Sequence, residues 1–220
     1  MCEHAVVGTV EEEDYQDLFN DSFRKELRKI EVTKHDLVVE MLTQAENIGL
    51  HILPELEKYF GSYEVFSVEE KLFEKVQDFK LDDYNFKGFI DLVVATKDGK
   101  IHLIDWKTCS WGWDARKKNN KVLAYQLVFY KHFYARKHPE VTVEDIETHF
   151  VLLKRTAKQG KKIEFVRVTA GKKRIENALN TLLKALHNIE AKRYTKNRLA
   201  CTKCPDRFGT CEFYQTEYCR

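Results

Sequence analysis

At 220 residues, with 43% hydrophobic and 33% charged side chains, three prolines and nine glycines, the chain has the profile of one soluble globular domain without long disordered linkers. No stretch approaches the roughly 20 apolar residues that cross a bilayer, and the acidic residues 1–14 lack the basic-then-apolar order of a secretory signal; no membrane association and a cytoplasmic location are expected. The net charge of +2 conceals a division, with 12 Lys/Arg and 24 Asp/Glu over residues 1–106 against 25 and 11 over 107–220, which suits either a polyanion-binding face or ordinary solvated helices.

Residues 15–30 carry Leu18, Phe19, Phe23, Leu27 and Ile30 at helical spacing and predict a first helix. Thr33 is placed to cap a second, running through 35–49 and on towards Phe60 with a break or kink near Pro54. Residues 63–76 alternate apolar and polar positions as a strand does, passing into a less regular stretch. Segments 86–96 and 100–108 are rich in β-branched and aromatic residues and flank the turn dipeptide Asp98-Gly99, which predicts an antiparallel hairpin. A helix over 121–137 should end at His138-Pro139. Strands over 148–153 and 163–168 would enclose the basic turn Lys158-Gln159-Gly160-Lys161-Lys162. A long helix over 172–193 would bury Ile175, Leu179, Leu182, Leu183, Leu186 and Ile189.

This order predicts an α/β fold, a central mixed sheet flanked by helices. The expected domain covers 1–200, with N-terminal helices over 15–60, a core over 61–170 and the C-terminal helix; a cysteine-rich tail, 201–220, packs on it. There is no internal repeat and no low-complexity segment.

The chemistry concentrates in the hairpin. Asp91 stands in the first arm, in Gly88-Phe89-Ile90-Asp91, and the second arm holds Asp105-Trp106-Lys107-Thr108. Alternation along a strand points Asp105 and Lys107 to one side, and pairing across the short turn can bring Asp91 to them. Two carboxylates can hold a hard divalent cation such as Mg²⁺ or Mn²⁺, and a neighbouring lysine can orient a water or stabilise developing charge. Taken alone, the same residues also fit a buried Asp–Lys pair.

Gly88-x-x-Asp91, thirteen intervening residues, then Asp105-Trp106-Lys107-Thr108 resembles the core of the PD-(D/E)XK nuclease superfamily. Gln126 and Tyr130 match the Q-x-x-x-Y motif of its RecB-like branch, and four apart on a helix they share one face. Upstream, Gly49-Leu50-His51-Ile52-Leu53 resembles the RecB-like helix whose histidine is a further metal ligand. The resemblance implies a restriction-endonuclease-like sheet, with His51, Asp91 and Asp105 as metal ligands and Lys107 as catalytic base or water-positioning residue. It also implies coordination by the Trp106 carbonyl, and Gln126 and Tyr130 as positioning groups. Glu69 or Glu70 could supply an alternative acid.

Cys201-x2-Cys204-x6-Cys211-x7-Cys219 has the spacing of a thiolate metal site. It is similar to the C-terminal cysteine cluster of AddB and of CRISPR-adaptation nucleases, which holds a [4Fe–4S] cluster with a distant fourth cysteine. Cys2 would be that partner; Cys219 offers a local alternative, and Zn²⁺ an alternative metal. Cys109 reads as a sheet residue.

The resulting expectation is a metal-dependent DNA exonuclease of recombination, repair or phage DNA metabolism, acting on single strands or exposed ends. Without a P-loop it would need a separate helicase or recombination protein for unwinding. The alternatives are a CRISPR-adaptation nuclease, a catalytically silent DNA-binding module, or a cysteine-rich interaction protein. Arg116, Lys117, Lys118 and Lys121, with Lys158, Lys161 and Lys162, are candidate phosphate contacts, and Trp111 and Trp113 candidates for base stacking or for packing.

Overall fold

The computed structural model describes residues 15–29, 35–76, 84–193 and 214–217. The chain divides into two compact units, Met1–Leu179 and Asn180–Arg220, and the whole sheet belongs to the first. The expected boundary at 200/201 falls outside the described residues.

Helix α1 (Tyr15–Leu27) is followed by α2 (His35–Phe60). The expected break near Pro54 is absent, and α2 runs through it. Pro54 is exposed, so the carbonyl that loses its partner to the missing N–H can be satisfied by water. Five strands follow: β1 (Tyr63–Lys75), β2 (Asn85–Thr96), β3 (Ile101–Cys109), β4 (Ile146–Lys154) and β5 (Ile163–Arg167). They form one mixed sheet in the order β1-β2-β3-β4-β5. The β3–β4 pair is parallel and the other three pairs are antiparallel.

The predicted hairpin is the β2–β3 pair, closed by Asp98-Gly99 with Gly99 at φ 81°, a conformation that suits glycine in such a turn. Parallel strands need a crossover, and this one holds α3 (Ala115–Lys118) and α4 (Lys121–Lys137). Asn120 caps α4 through its side-chain oxygen, which accepts from the Val122 and Leu123 amides. The helix stops at His138, before Pro139, because the residue preceding a proline is disfavoured in helical conformation. Helix α5 (Lys172–Glu190) begins in the first unit and continues into the second.

The sheet carries helices on both faces. On one, Leu56 of α2 packs with Leu92, Val94, Ile104 and Val151, joined by Ile52, Leu53, Phe60 and Trp106. On the other, α4 lies against the sheet, its Phe133 ring stacked 4.3 Å from Phe86. Val128 of α4 also packs with Ala170, Ile175 and Ala178. With neighbours on both sides, α4 buries Ala124, Leu127, Val128, Tyr130, Phe133 and Tyr134. Its buried Lys131 donates to the Ile146 carbonyl at 2.7 Å, as a polar group in such a place must. Among the described residues no helix is long and apolar enough to cross a membrane.

Candidate active site

The site arises where two strands separate. The β2–β3 ladder runs from Ala95–Ile101 to Leu92–Ile104 and stops, while β3 stays paired to β4 along its whole length, to Cys109. Asp91 and Asp105 stand one step past the last rung. There the Trp106 amide donates to the Asp91 carboxylate, to Oδ2 at 2.6 Å. The side chain thus takes the place a ladder carbonyl would have filled, satisfying a buried donor and fixing itself. The β1–β2 ladder skips the matching position, between Val68–Leu92 and Glu70–Ile90, and Glu69 there adopts φ 51°. A local irregularity of this kind re-aims side chains: Phe86 packs against α4, whereas Leu92 and Val94 pack towards α2.

Asp105, 2% exposed, is held from two sides. Gln126 Nε2 donates to Oδ1 at 2.7 Å and lies 3.1 Å from the Tyr130 hydroxyl, to which it also donates. Lys107 Nζ is 2.5 Å from Oδ2 as an ion pair. The lysine also lies 5.7 Å above the centre of the Phe150 ring. Tyr130 is packed closely: a Cβ at Gly88 would fall 2.8 Å from its Cε1 and 3.1 Å from Phe86 Cε1. Only glycine fits this backbone approach.

Burial sets the electrostatics. Desolvation raises the Asp105 carboxyl above the ordinary aspartate range and the Asp91 charge adds to it, against the opposing pull of Lys107. Asp91 is raised for the same first reason, against the Trp106 amide and Lys107. Burial likewise raises Tyr130, which the Gln126 bond opposes and the Asp105 and Asp91 charges reinforce. Two neighbouring acids that burial makes costly to ionise, opposed in part by one lysine, form a donor set that a hard divalent cation fits.

The structure thus brings together Asp91, Asp105, Lys107, Gln126 and Tyr130. His51 lies on α2, whose Ile52 and Leu53 pack on the face of the sheet opposite the one α4 covers. Glu70 is engaged elsewhere, with Oε1 paired to Lys137 Nζ at 2.5 Å and to His138 Nε2 at 3.2 Å. Burial would raise it, but the bonds with Lys137 and His138 bring it below the usual glutamate range. Trp113 is a packing residue, buried 5.2 Å from Phe150, whereas Trp111 is 80% exposed. Lys118 pairs with Glu164, and Lys117 lies 4.8 Å over the Trp113 ring. Cys109 ends β3 as a free thiol. Cys2, Cys201, Cys204, Cys211 and Cys219 lie outside the described residues.

Sequence reasoning missed a second cluster, His102, Glu147 and His149. All three stand on β3 and β4 in parallel register, His102 opposite Glu147 and Ile104 opposite His149. His102 faces Phe60 of α2, ring centres 4.5 Å apart, so the cluster lies across the sheet from Asp105. The available signal was a histidine two positions before Ile104 and another two after Glu147, but only the strand pairing brings them together.

Residues 2–208 match the family model of the PD-(D/E)XK nuclease superfamily. No curated protein matches the chain. A protein of Eubacterium rectale, provisionally described as an exonuclease, is similar in structure with a TM-score of 0.49 at 14% identity, over 89% of this chain and 76% of that one. The protein SSO0001 gives 0.42 at 13% identity, over 93% of each. At these scores neither likeness adds to the family match. That match covers nearly the whole chain, and the chain belongs to the PD-(D/E)XK nuclease superfamily.

Proposed function

We propose that the chain is a Mg²⁺- or Mn²⁺-dependent deoxyribonuclease of the RecB-like branch, working as an exonuclease on single strands or exposed ends. The observation that carries this is the convergence of Asp91, Asp105 and Lys107 at the splayed end of β2–β3, with Gln126 and Tyr130 of α4 held against Asp105. Asp91 and Asp105 would hold the cation, which when bound polarises the phosphodiester and activates water. His51 is proposed as a further ligand from its place in the motif order.

The roles of the chain's own groups follow from their contacts. The Trp106 amide keeps Asp91 oriented, and Gln126 keeps one Asp105 oxygen bound while leaving Oδ2 for the cation. Lys107, adjacent to that oxygen, would hold the attacking water or the charge developing on the phosphate. Tyr130, locked by Gly88 and Phe86, limits how far Gln126 can swing. Arg116 and Lys121, exposed just beyond β3, would contact the phosphate backbone, and Trp111 would stack on an unpaired base. The tail from Cys201 is proposed to bind a [4Fe–4S] cluster or Zn²⁺, and a separate helicase or recombination protein would supply ends during recombination or repair.

The test is digestion of end-labelled single- and double-stranded DNA with Mg²⁺ or Mn²⁺. Release of labelled mononucleotides or short oligonucleotides supports an exonuclease. Internal cuts would make it an endonuclease, and no cutting of either substrate by folded, fully metallated protein would favour a silent DNA-binding module.

A further inference from the structure

We propose that His102, Glu147 and His149 form a second metal site, on the face of the sheet away from the nuclease centre, which holds a zinc ion and ties β3 to β4. Three donor atoms define it. His102 Nδ1 lies 3.1 Å from His149 Nε2, and Glu147 Oε2 is 3.8 Å from the first and 3.9 Å from the second. A point equidistant from all three is about 2.1 Å from each, which is the length of zinc bonds to imidazole and carboxylate, roughly 2.0–2.2 Å. A small inward rotation of Glu147 lets the ion leave the plane of the donors and take a fourth ligand.

The groups behind the donors favour ligation over chance packing. With the Thr96 proton on Asp98 Oδ1, the hydroxyl accepts from His102 Nε2, 3.2 Å away. In that tautomer the Nδ1 lone pair faces the cluster. Arg167 holds the other Glu147 oxygen, Oε1, at 2.6 Å. Partners that fix the far side of a ligand are the usual support of a metal site, and here they stand behind His102 and Glu147. His149, 1% exposed, turns Nε2 to the cluster and has no partner behind it at Nδ1. Two neutral imidazoles and a carboxylate suit a borderline ion such as Zn²⁺ better than Mg²⁺. Phe60, 4.5 Å from His102 and 5.4 Å from His149 between ring centres, and Tyr59, 5.7 Å from His149, line the remaining approach, which favours a structural role. Its position matters because His102 precedes Asp105 by three residues on the same strand.

The test uses the full chain carrying Asp105→Asn, so that the nuclease centre contributes no signal. The protein is stripped with chelator and titrated with Zn²⁺, followed by Tm, and with Co²⁺, followed by visible absorption. Zn²⁺ should raise Tm by several degrees at near-stoichiometric concentration. Co²⁺ should give ligand-field bands of a nitrogen and oxygen site that persist when Cys201, Cys204, Cys211 and Cys219 are all serine and vanish in Glu147→Gln. Should Glu147→Gln fail to fold, the Zn²⁺ and Co²⁺ titrations of the four-serine protein still decide. An unmoved Tm, bands of thiolate character only, or binding only at millimolar metal would each overturn the proposal and leave the cluster a hydrogen-bonded network. Because no nuclease activity enters the measurement, failure of the catalytic reading would not affect it.

Discussion

Gly88→Ala tests whether the floor of the site is as tightly fitted as its geometry implies. The added methyl would sit 2.8 Å from Tyr130 Cε1 and 3.1 Å from Phe86 Cε1, both inside van der Waals contact. Tyr130 cannot easily yield: it is 7% exposed, its ring meets Phe86, and its hydroxyl is bonded to Gln126. Overpacking of this kind costs about 1–3 kcal/mol, which for a chain of this size lowers Tm by about 2–12 °C. Displacing Tyr130 also disturbs Gln126 and through it Asp105, so kcat should fall roughly ten- to a hundredfold, as for an ångström-scale misplacement. The assay is thermal unfolding with nuclease kinetics, repeated in a Tyr130→Leu background. There the methyl meets no ring edge from position 130, and its cost in Tm should shrink, since residues in contact couple. An unchanged Tm and kcat for Gly88→Ala, or an equal Tm penalty in both backgrounds, would refute the packing argument.

Gln126→Leu leaves the buried Asp105 Oδ1 without its donor and should cost about 1.5–3 kcal/mol in urea unfolding, with the acid limb of activity shifted to higher pH. Without metal Asp91 and Asp105 are both raised above the aspartate range, so protons should compete with the cation, and the Mg²⁺ concentration needed for half-maximal cleavage should rise as pH falls. In metal-free protein these raised groups bind protons more tightly folded than unfolded. Their contribution to stability is therefore present at low pH and lost as pH rises through their raised values; Tm against pH, with chelator and with excess Mg²⁺, should show that loss only without the metal. Trp113→Ala should cost about 3–5 kcal/mol, while Trp111→Ala should leave Tm unchanged and weaken single-strand binding in a fluorescence titration.

Much of this arrangement was legible because local signals agreed. Asp98-Gly99 between two β-branched runs gave the hairpin, and His138-Pro139 marked the end of α4. The spacing of Gln126 and Tyr130 foretold their shared face, which the structure directs at Asp105. What escaped depended on tertiary context. Pro54 reads as a breaker, yet solvent can serve the carbonyl it deprives. The splay of β3 from β2 and the irregularity at Glu69 set the aim of Asp91, and neither has a signature in residue types. Trp113 and Trp111 are two residues apart and alike in sequence, but only one finds Phe150. The His102–Glu147–His149 cluster needs the parallel register of β3 and β4, which a single sequence does not disclose.

The most direct test of the central claim is Mg²⁺-dependent cleavage of end-labelled single-stranded DNA by wild type, Asp105→Asn and Lys107→Ala, each checked for fold and for DNA binding. The account predicts that cleavage by the wild type stops on chelation and returns with Mg²⁺ or Mn²⁺. Both variants should bind DNA but cut it roughly a hundred- to a thousandfold more slowly, the scale seen when a key electrostatic group is removed. Wild-type rates in either folded variant would mean that the chemistry, if any, lies elsewhere in the molecule.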